Sequence, residues 1–179
     1  MQHLGLLTIL LIIAGLTFTV TKWKGGLHLT FSQHVARNRS SKIFYSLLFM
    51  VTLPILMLFF ADWLVPTRSL PSAFLWFSAI AILFQIACTW IPEEGGRKTV
   101  VHRILTTISG VALLPLMVII ASSTNLSITV RCAAWIGLLV MIVLLSIALS
   151  HQKGYRYALL LQVGYYAAFF IVILMVTYR

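Results

Sequence analysis

The chain has 179 residues, of which 61% are hydrophobic and only 9% charged, and its formal net charge is +10. No soluble domain of this size has enough interior to hide that much apolar surface; uncharged segments of about 18 residues or more between short charged loops instead mark transmembrane helices. The segments of roughly ten residues with alternating polarity that a membrane barrel needs are absent.

The first apolar run, 4–20, follows Met1-Gln2-His3. That start lacks the positive region of a cleavable signal, and no small-residue cleavage pattern follows the run, so it reads as the first span. The loop 21–42 carries Lys22, Lys24, Arg37, Arg39 and Lys42, with His28 and His34 among them. A second span is expected over 43–64, capped by Ser40 or Ser41, with Pro54 inside it and Asp62-Trp63 at its end. A short loop, 65–71, adds Arg68, and the third span covers 73–91. The charged turn 92–103 contains Glu93, Glu94, Arg97, Lys98 and Arg103 and runs into a fourth span over 100–121, with Pro115 inside it. After the uncharged loop 122–130 come a fifth span (131–149), the loop 150–156 with Lys153 and Arg156, and a sixth span (157–177). The expected fold is all-α: a polytopic membrane protein with six transmembrane helices in one compact bundle, forming a single domain over 1–179.

Ten of the thirteen Lys and Arg residues fall in loops 21–42, 92–103 and 150–156, leaving Arg68, Arg131 and Arg179 on the other side. The positive-inside rule then places those three loops in the cytoplasm and both termini outside, as in a multi-pass protein of a bacterial inner membrane. Trp23, Tyr45, Trp90 and Tyr157 fall at the inner edge of the spans, and Trp63, Trp76 and Trp135 nearer the outer one. Basic loops facing anionic lipid headgroups account for the net charge. No nucleic-acid-binding motif accompanies it, so nucleic acid is not an expected partner.

Two features repeat. Leu53-Pro54-Ile55-Leu56-Met57 and Leu114-Pro115-Leu116-Met117 put prolines at similar depths of the second and fourth spans, a pattern expected to kink both and open a cavity between them. Glycines also stand beside basic residues in the inner loops, as in Lys24-Gly25-Gly26 and Gly95-Gly96-Arg97.

Chemistry-bearing residues are few. Cys88 and Cys132 sit near opposite membrane faces, too far apart for a disulfide. The histidines, His3, His28, His34, His102 and His151, show neither paired-haem placement nor metal-site spacing, so no metal or cofactor is expected. His102 is the most informative. With Thr99 as N-cap it occupies the first turn of the fourth span, where free N–H groups attract an anion and Arg97, Lys98 and Arg103 stand close. Asp62 is the one acid within a span, and Arg68 follows near enough to neutralise it. Gln85 and Gln162 can hydrogen-bond between helices, and Gly164 with Ala168 gives the sixth span a small-residue face for close packing or a dimer seam. No proton-relay chain, phosphate loop or Ser–His–Asp constellation is present.

Three stretches resemble the six-helix bacterial membrane family catalogued as domain of unknown function nine-nine-eight, with a more distant likeness to the Frag1 and DRAM type. Leu29-Thr30-Phe31-Ser32-Gln33-His34-Val35-Ala36 is similar to the segment before that family's second helix. Cys88-Thr89-Trp90-Ile91-Pro92 is similar to the end of its third, and His102 followed by Leu113-Leu114-Pro115-Leu116 to its fourth. Gln33 stands where the family carries an acid, and Trp90-Ile91 where it carries glycine and an aromatic. The resemblance implies architecture and no particular activity.

Two functional expectations follow. The first is a non-enzymatic membrane module that binds a lipid or other hydrophobic ligand, or scaffolds a membrane-protein partner or a second copy. Its ligand-binding residues would be Arg97, Lys98, His102, Arg103, His34, Pro54 and Pro115. The second is a small lipid-modifying or lipid-moving enzyme, with His102 as base, Arg97 and Arg103 clamping a headgroup, and Glu93 or Ser32 in support.

Overall fold

Six of the helices in the computed structural model are long and apolar enough to cross a membrane, and the chain is an all-α polytopic bundle. Residues 1–91, 93, 96–150 and 154–179 are described. Glu94, His151 and Lys153, read above as parts of inner loops, lie outside them.

The spans are α1 (Gln2–Lys22), α3 (Arg39–Phe59), α5 (Ala73–Trp90), α6 (Gly96–Ser122), α7 (Ile128–Leu149) and α8 (Ala158–Tyr178). Two short helices join them: α2 (Phe31–Ala36) lies in the long first loop, and α4 (Val65–Arg68) prolongs α3. α1 packs on α3, α3 on α5, α5 on α6, α6 on α7 and α7 on α8, and α8 returns to touch α1. The ring closes where the termini meet: Gln2 Nε2 donates to the Thr177 carbonyl at 3.1 Å, and the His3 and Tyr178 rings lie 6.4 Å apart. Both termini therefore share one face, and the basic turns occupy the other.

Apolar residues point both ways, as a lipid-solvated bundle requires. Ile9, Phe59, Phe74, Leu116, Ile120 and Ile173 are fully buried, while Leu47, Leu83, Ile136, Leu139 and Leu160 are exposed on the outer faces. Four buried threonine hydroxyls are satisfied within their own helices. Thr8, Thr19, Thr52 and Thr177 each donate to the carbonyl four residues back, at 2.7 to 2.8 Å. Gly137 brings α7 close to α8, since a Cβ there would press on Val172 and Met117. Gly164 faces Leu144, so the small-residue face of the sixth span is used inside the chain, against α7.

The structure departs from the sequence reading in four places. The second span continues to Arg68 because a π-helical turn, Phe60–Leu64, absorbs the break that Pro66 would otherwise cause. In that turn the Val65 N–H bonds the Phe60 carbonyl, and the helix ends only at Ser69, whose φ of 51° is left-handed. Arg68 does not neutralise Asp62: its Nη2 donates to the Thr177 carbonyl at 2.9 Å, and its guanidinium lies 5.9 Å from the Trp63 ring. The fourth span begins at Gly96, so His102 lies in its second turn and not at its open N-terminus, and the helix-end anion site expected there does not form around it. Finally, Pro54 and Pro115 stay within continuous helices that both pack against α5, which stands between them.

Candidate functional site

α2 is held by its own sequence. Thr30-Phe31-Ser32-Gln33 is a capping box: Thr30 Oγ1 accepts from the Gln33 N–H at 3.2 Å, and Gln33 Oε1 accepts from the Thr30 N–H at 3.0 Å. Gln162 on α8 accepts from the Phe31 N–H at 3.0 Å, and the Leu159 N–H donates to the Leu27 carbonyl at 3.1 Å. The first loop is thus folded down onto the start of α8.

Between this loop, α6, α7 and α8 lies a cavity of about 270 Å³ at the basic face. One wall is polar and is built by Thr30, Ser32, Glu93, His102, Arg103 and Thr106. The facing wall is apolar, with Leu144, Leu145, Ala148 and Leu149 from α7 and Ala158 and Leu161 from α8. Gln162, Tyr165 and Tyr166 form the floor between them. Ala148 and Leu149 are exposed as well as lining, so the cavity opens to its surroundings.

His102 is buried, and its Nδ1 lies 2.6 Å from the Ile91 carbonyl and 3.0 Å from that of Cys88. Carbonyl oxygens only accept, so Nδ1 carries the proton. In the neutral ring the lone pair is left on Nε2, which makes no hydrogen bond among the described residues. Glu93, whose side chain is 6% exposed, takes Arg103 Nε at 3.0 Å and Nη2 at 2.9 Å on Oε1. Its Oε2 faces the hydroxyls of Thr30 and Ser32 at 3.3 and 3.4 Å, and these lie 2.9 Å from each other.

Of the residues expected to form a site, Ser32, Glu93, His102 and Arg103 come together on this wall. His34 does not join them. It is buried under the first loop, against Gly25, with Nδ1 3.2 Å from the Trp23 carbonyl. Arg97 and Lys98 are exposed at the start of α6, outside the cavity. Pro54 and Pro115 line none of it; their neighbours Leu53, Leu56, Leu113 and Leu116, from the second and fourth spans, lie instead on a smaller central cavity.

The sequence reading missed Thr30, Thr106, Tyr165, Tyr166 and the α7 wall. The capping box would have pointed to Thr30 and Gln33; the apolar wall carries no signal that separates it from any lipid-facing segment.

A second, smaller cavity of about 50 Å³ lies in the bundle centre, walled by α1, α3, α5, α6 and α8. Gln85, Ser109 and Tyr166 bring polar groups to it, as does Ser78, whose buried hydroxyl has no partner among the described residues.

Comparison with known proteins finds no matching family model, no matching curated protein and no matching solved structure.

Proposed function

We propose that the protein is a non-enzymatic membrane module that holds an amphiphilic ligand, a lipid or lipid-like molecule, in the cavity at its basic face. The observation that carries this reading is the division of the walls, polar on α2 and α6 and apolar on α7 and α8. A cavity of about 270 Å³ is close to the lower size of small-ligand pockets, roughly 300 Å³. A polar head set against Thr106 and Glu93 would leave its chain along Leu144, Leu145 and Leu161. Outside the cavity, exposed Arg37, Arg39, Arg97 and Lys98 give the same face affinity for anionic membrane lipid, each cation near the surface contributing about 1 kcal/mol. The topology belongs to this proposal: the basic face is cytoplasmic, in a bacterial inner membrane. So does membership of the six-helix family named above.

The test is lipid retention by the purified protein, read by native mass spectrometry. Ala148→Trp, which fills the cavity from its apolar wall, should remove the retained species while the bundle still unfolds cooperatively. Retention unchanged in a folded Ala148→Trp protein would end the cavity reading.

One observation favours a second reading, a lipid-modifying enzyme. The Nδ1 bonds of His102 fix a tautomer suited to a general base, in a wall that also holds Ser32. Release of fatty acid or headgroup from a bound lipid, abolished by His102→Gln, would support this reading over the first.

A further inference from the structure

We infer that the head of the ligand is uncharged and rich in hydroxyl donors, a glycerol or sugar head on an acyl chain, and not a phosphate. The inference rests on the reading of the cavity as an amphiphile site and specifies what that site accepts.

Charge is balanced inside the cavity even though the chain as a whole is strongly basic. Among the described residues, Arg103 is the one Lys or Arg on the wall, and Glu93 engages it through two short contacts, at 3.0 and 2.9 Å. Phosphate sites present guanidinium forks or convergent N–H groups to the anion. Here the nearest such amides, that of Ser32 apart, are already used. The N–H groups of Thr30, Phe31 and Gln33, at the start of α2, bond Gln33 Oε1, Gln162 Oε1 and Thr30 Oγ1. A phosphate in this cavity would also lie beside the Glu93 carboxylate, and like charges at close range repel.

Acceptors predominate on the rest of the wall. The Thr106 hydroxyl donates to the His102 carbonyl at 2.9 Å and the Tyr165 hydroxyl to the Gly110 carbonyl at 2.6 Å, so each has spent its proton and leaves oxygen lone pairs. With Nδ1 donating to the two carbonyls, His102 adds an Nε2 lone pair whenever its ring is neutral. Glu93 Oε2 adds more, because its two hydroxyl contacts of 3.3 and 3.4 Å are longer than the usual O–H···O range of about 2.5–3.0 Å. The Gln33 and Gln162 amides, which accept through Oε1, add Nε2 donors, but a space lined mainly by acceptors calls for a ligand that brings donors. A hydroxylated head supplies them without bringing charge. An ammonium head also supplies them, but it would add a cation to a face that already carries Arg97 and Lys98, beside a carboxylate that Arg103 has neutralised.

The test compares three probes that share one oleoyl chain: a monoacylglycerol, a lysophosphatidic acid and a long-chain amine, titrated against the full-length purified protein by native mass spectrometry. The glycerol probe should bind about tenfold tighter than either charged probe, the scale of one hydrogen bond to a charged acceptor. Glu93→Gln should reduce its advantage over the phosphate probe to less than about threefold, since the amide no longer repels an anion. Because that variant also removes the partner of Arg103, Thr106→Val provides a second test: it takes away an acceptor and leaves the ion pair intact. It should weaken the glycerol probe roughly fivefold and leave the phosphate probe unchanged. A phosphate or amine probe that binds wild type as tightly as the glycerol probe overturns the head assignment and leaves the cavity reading standing. So does a preference that neither variant alters. If none of the three binds saturably, the cavity reading falls, and this inference with it.

Discussion

The imidazole of His102 and the backbone of Ile91 are joined by a 2.6 Å hydrogen bond, through which a residue of α6 closes the end of α5. A helix leaves its last carbonyls without internal partners, and at the edge of a bilayer water is scarce. The same device recurs around the bundle. His34 reaches the Trp23 carbonyl at the end of α1, Arg131 the Ala121 carbonyl near the end of α6, and Arg68 with Gln2 the Thr177 carbonyl near the end of α8. In each case the donor comes from a different element, so the bond also fixes how two elements meet. His102 differs from the others because it also lines the larger cavity.

That relationship predicts a stability defect. His102→Ala leaves the Ile91 carbonyl unpaired in a buried setting, while that of Cys88 keeps the Ile91 N–H, and the expected loss is about 1–3 kcal/mol, measured by denaturant-induced unfolding in detergent. His102→Asn retains a side-chain donor and should recover part of it. Equal losses in both variants would mean that ring packing, and not the bond, is what His102 supplies.

How much of this was legible in the sequence depends on range. The spans, the shared face of the termini and the clustering of basic turns follow from segment length and charge, which are local properties. The register of the helix ends is less local. Gly96 starts α6 earlier than the apolar run suggests, because polar Arg97 and Lys98 extend the helix past the hydrocarbon zone, and this moved His102 from the first turn to the second. Arg68 was paired with Asp62 because the two are near in sequence; its actual partner, Thr177, is 109 residues away. A cavity was expected where two prolines coincide, and the small central one has their neighbours Leu53 and Leu116 on its wall; the larger one takes its walls from a capping box, the polar stripe of α6 and an unremarkable apolar end of α7. No one of those stretches identifies a site by itself.

The Glu93–Arg103 pair should be cooperative with the fold of the first loop. Glu93 is nearly buried and Arg103 about half exposed (47%), which puts the pair between surface and interior behaviour. A double-mutant cycle with Glu93→Gln and Arg103→Gln should give a coupling of about 1–2 kcal/mol, weakened little by salt. Coupling near zero would show that the turn and α6 are held together by other contacts, and that the polar wall does not depend on this pair.

Ser78 and Ser109 make opposite predictions, although both are buried serines on the central cavity. The Ser78 hydroxyl has no partner among the described residues, whereas that of Ser109 donates to the Ala81 carbonyl at 2.9 Å. Ser78→Ala removes a desolvated group and should leave the protein equally stable or more stable by up to about 1 kcal/mol; Ser109→Ala should cost about 1 kcal/mol. Thermal unfolding of both variants in one detergent makes the comparison. A clear loss on Ser78→Ala would show that the hydroxyl is bonded after all, with a water in the 50 Å³ cavity as its natural partner.

The two native cysteines provide a direct check on orientation. Cys88 is buried near the end of α5 at the basic face, whereas Cys132 is exposed in the first turns of α7, at the face of the termini. If the basic turns are cytoplasmic, a membrane-impermeant maleimide added to intact cells or right-side-out vesicles should label Cys132. Cys88 should react only after denaturation. With Cys132→Ser the label on native protein should disappear, and with Cys88→Ser it should remain. Labelling of Cys132 only from inverted vesicles would reverse the topology and put the cavity on the external side. The helix packing would be unaffected, but the ligand would then be drawn from the opposite leaflet.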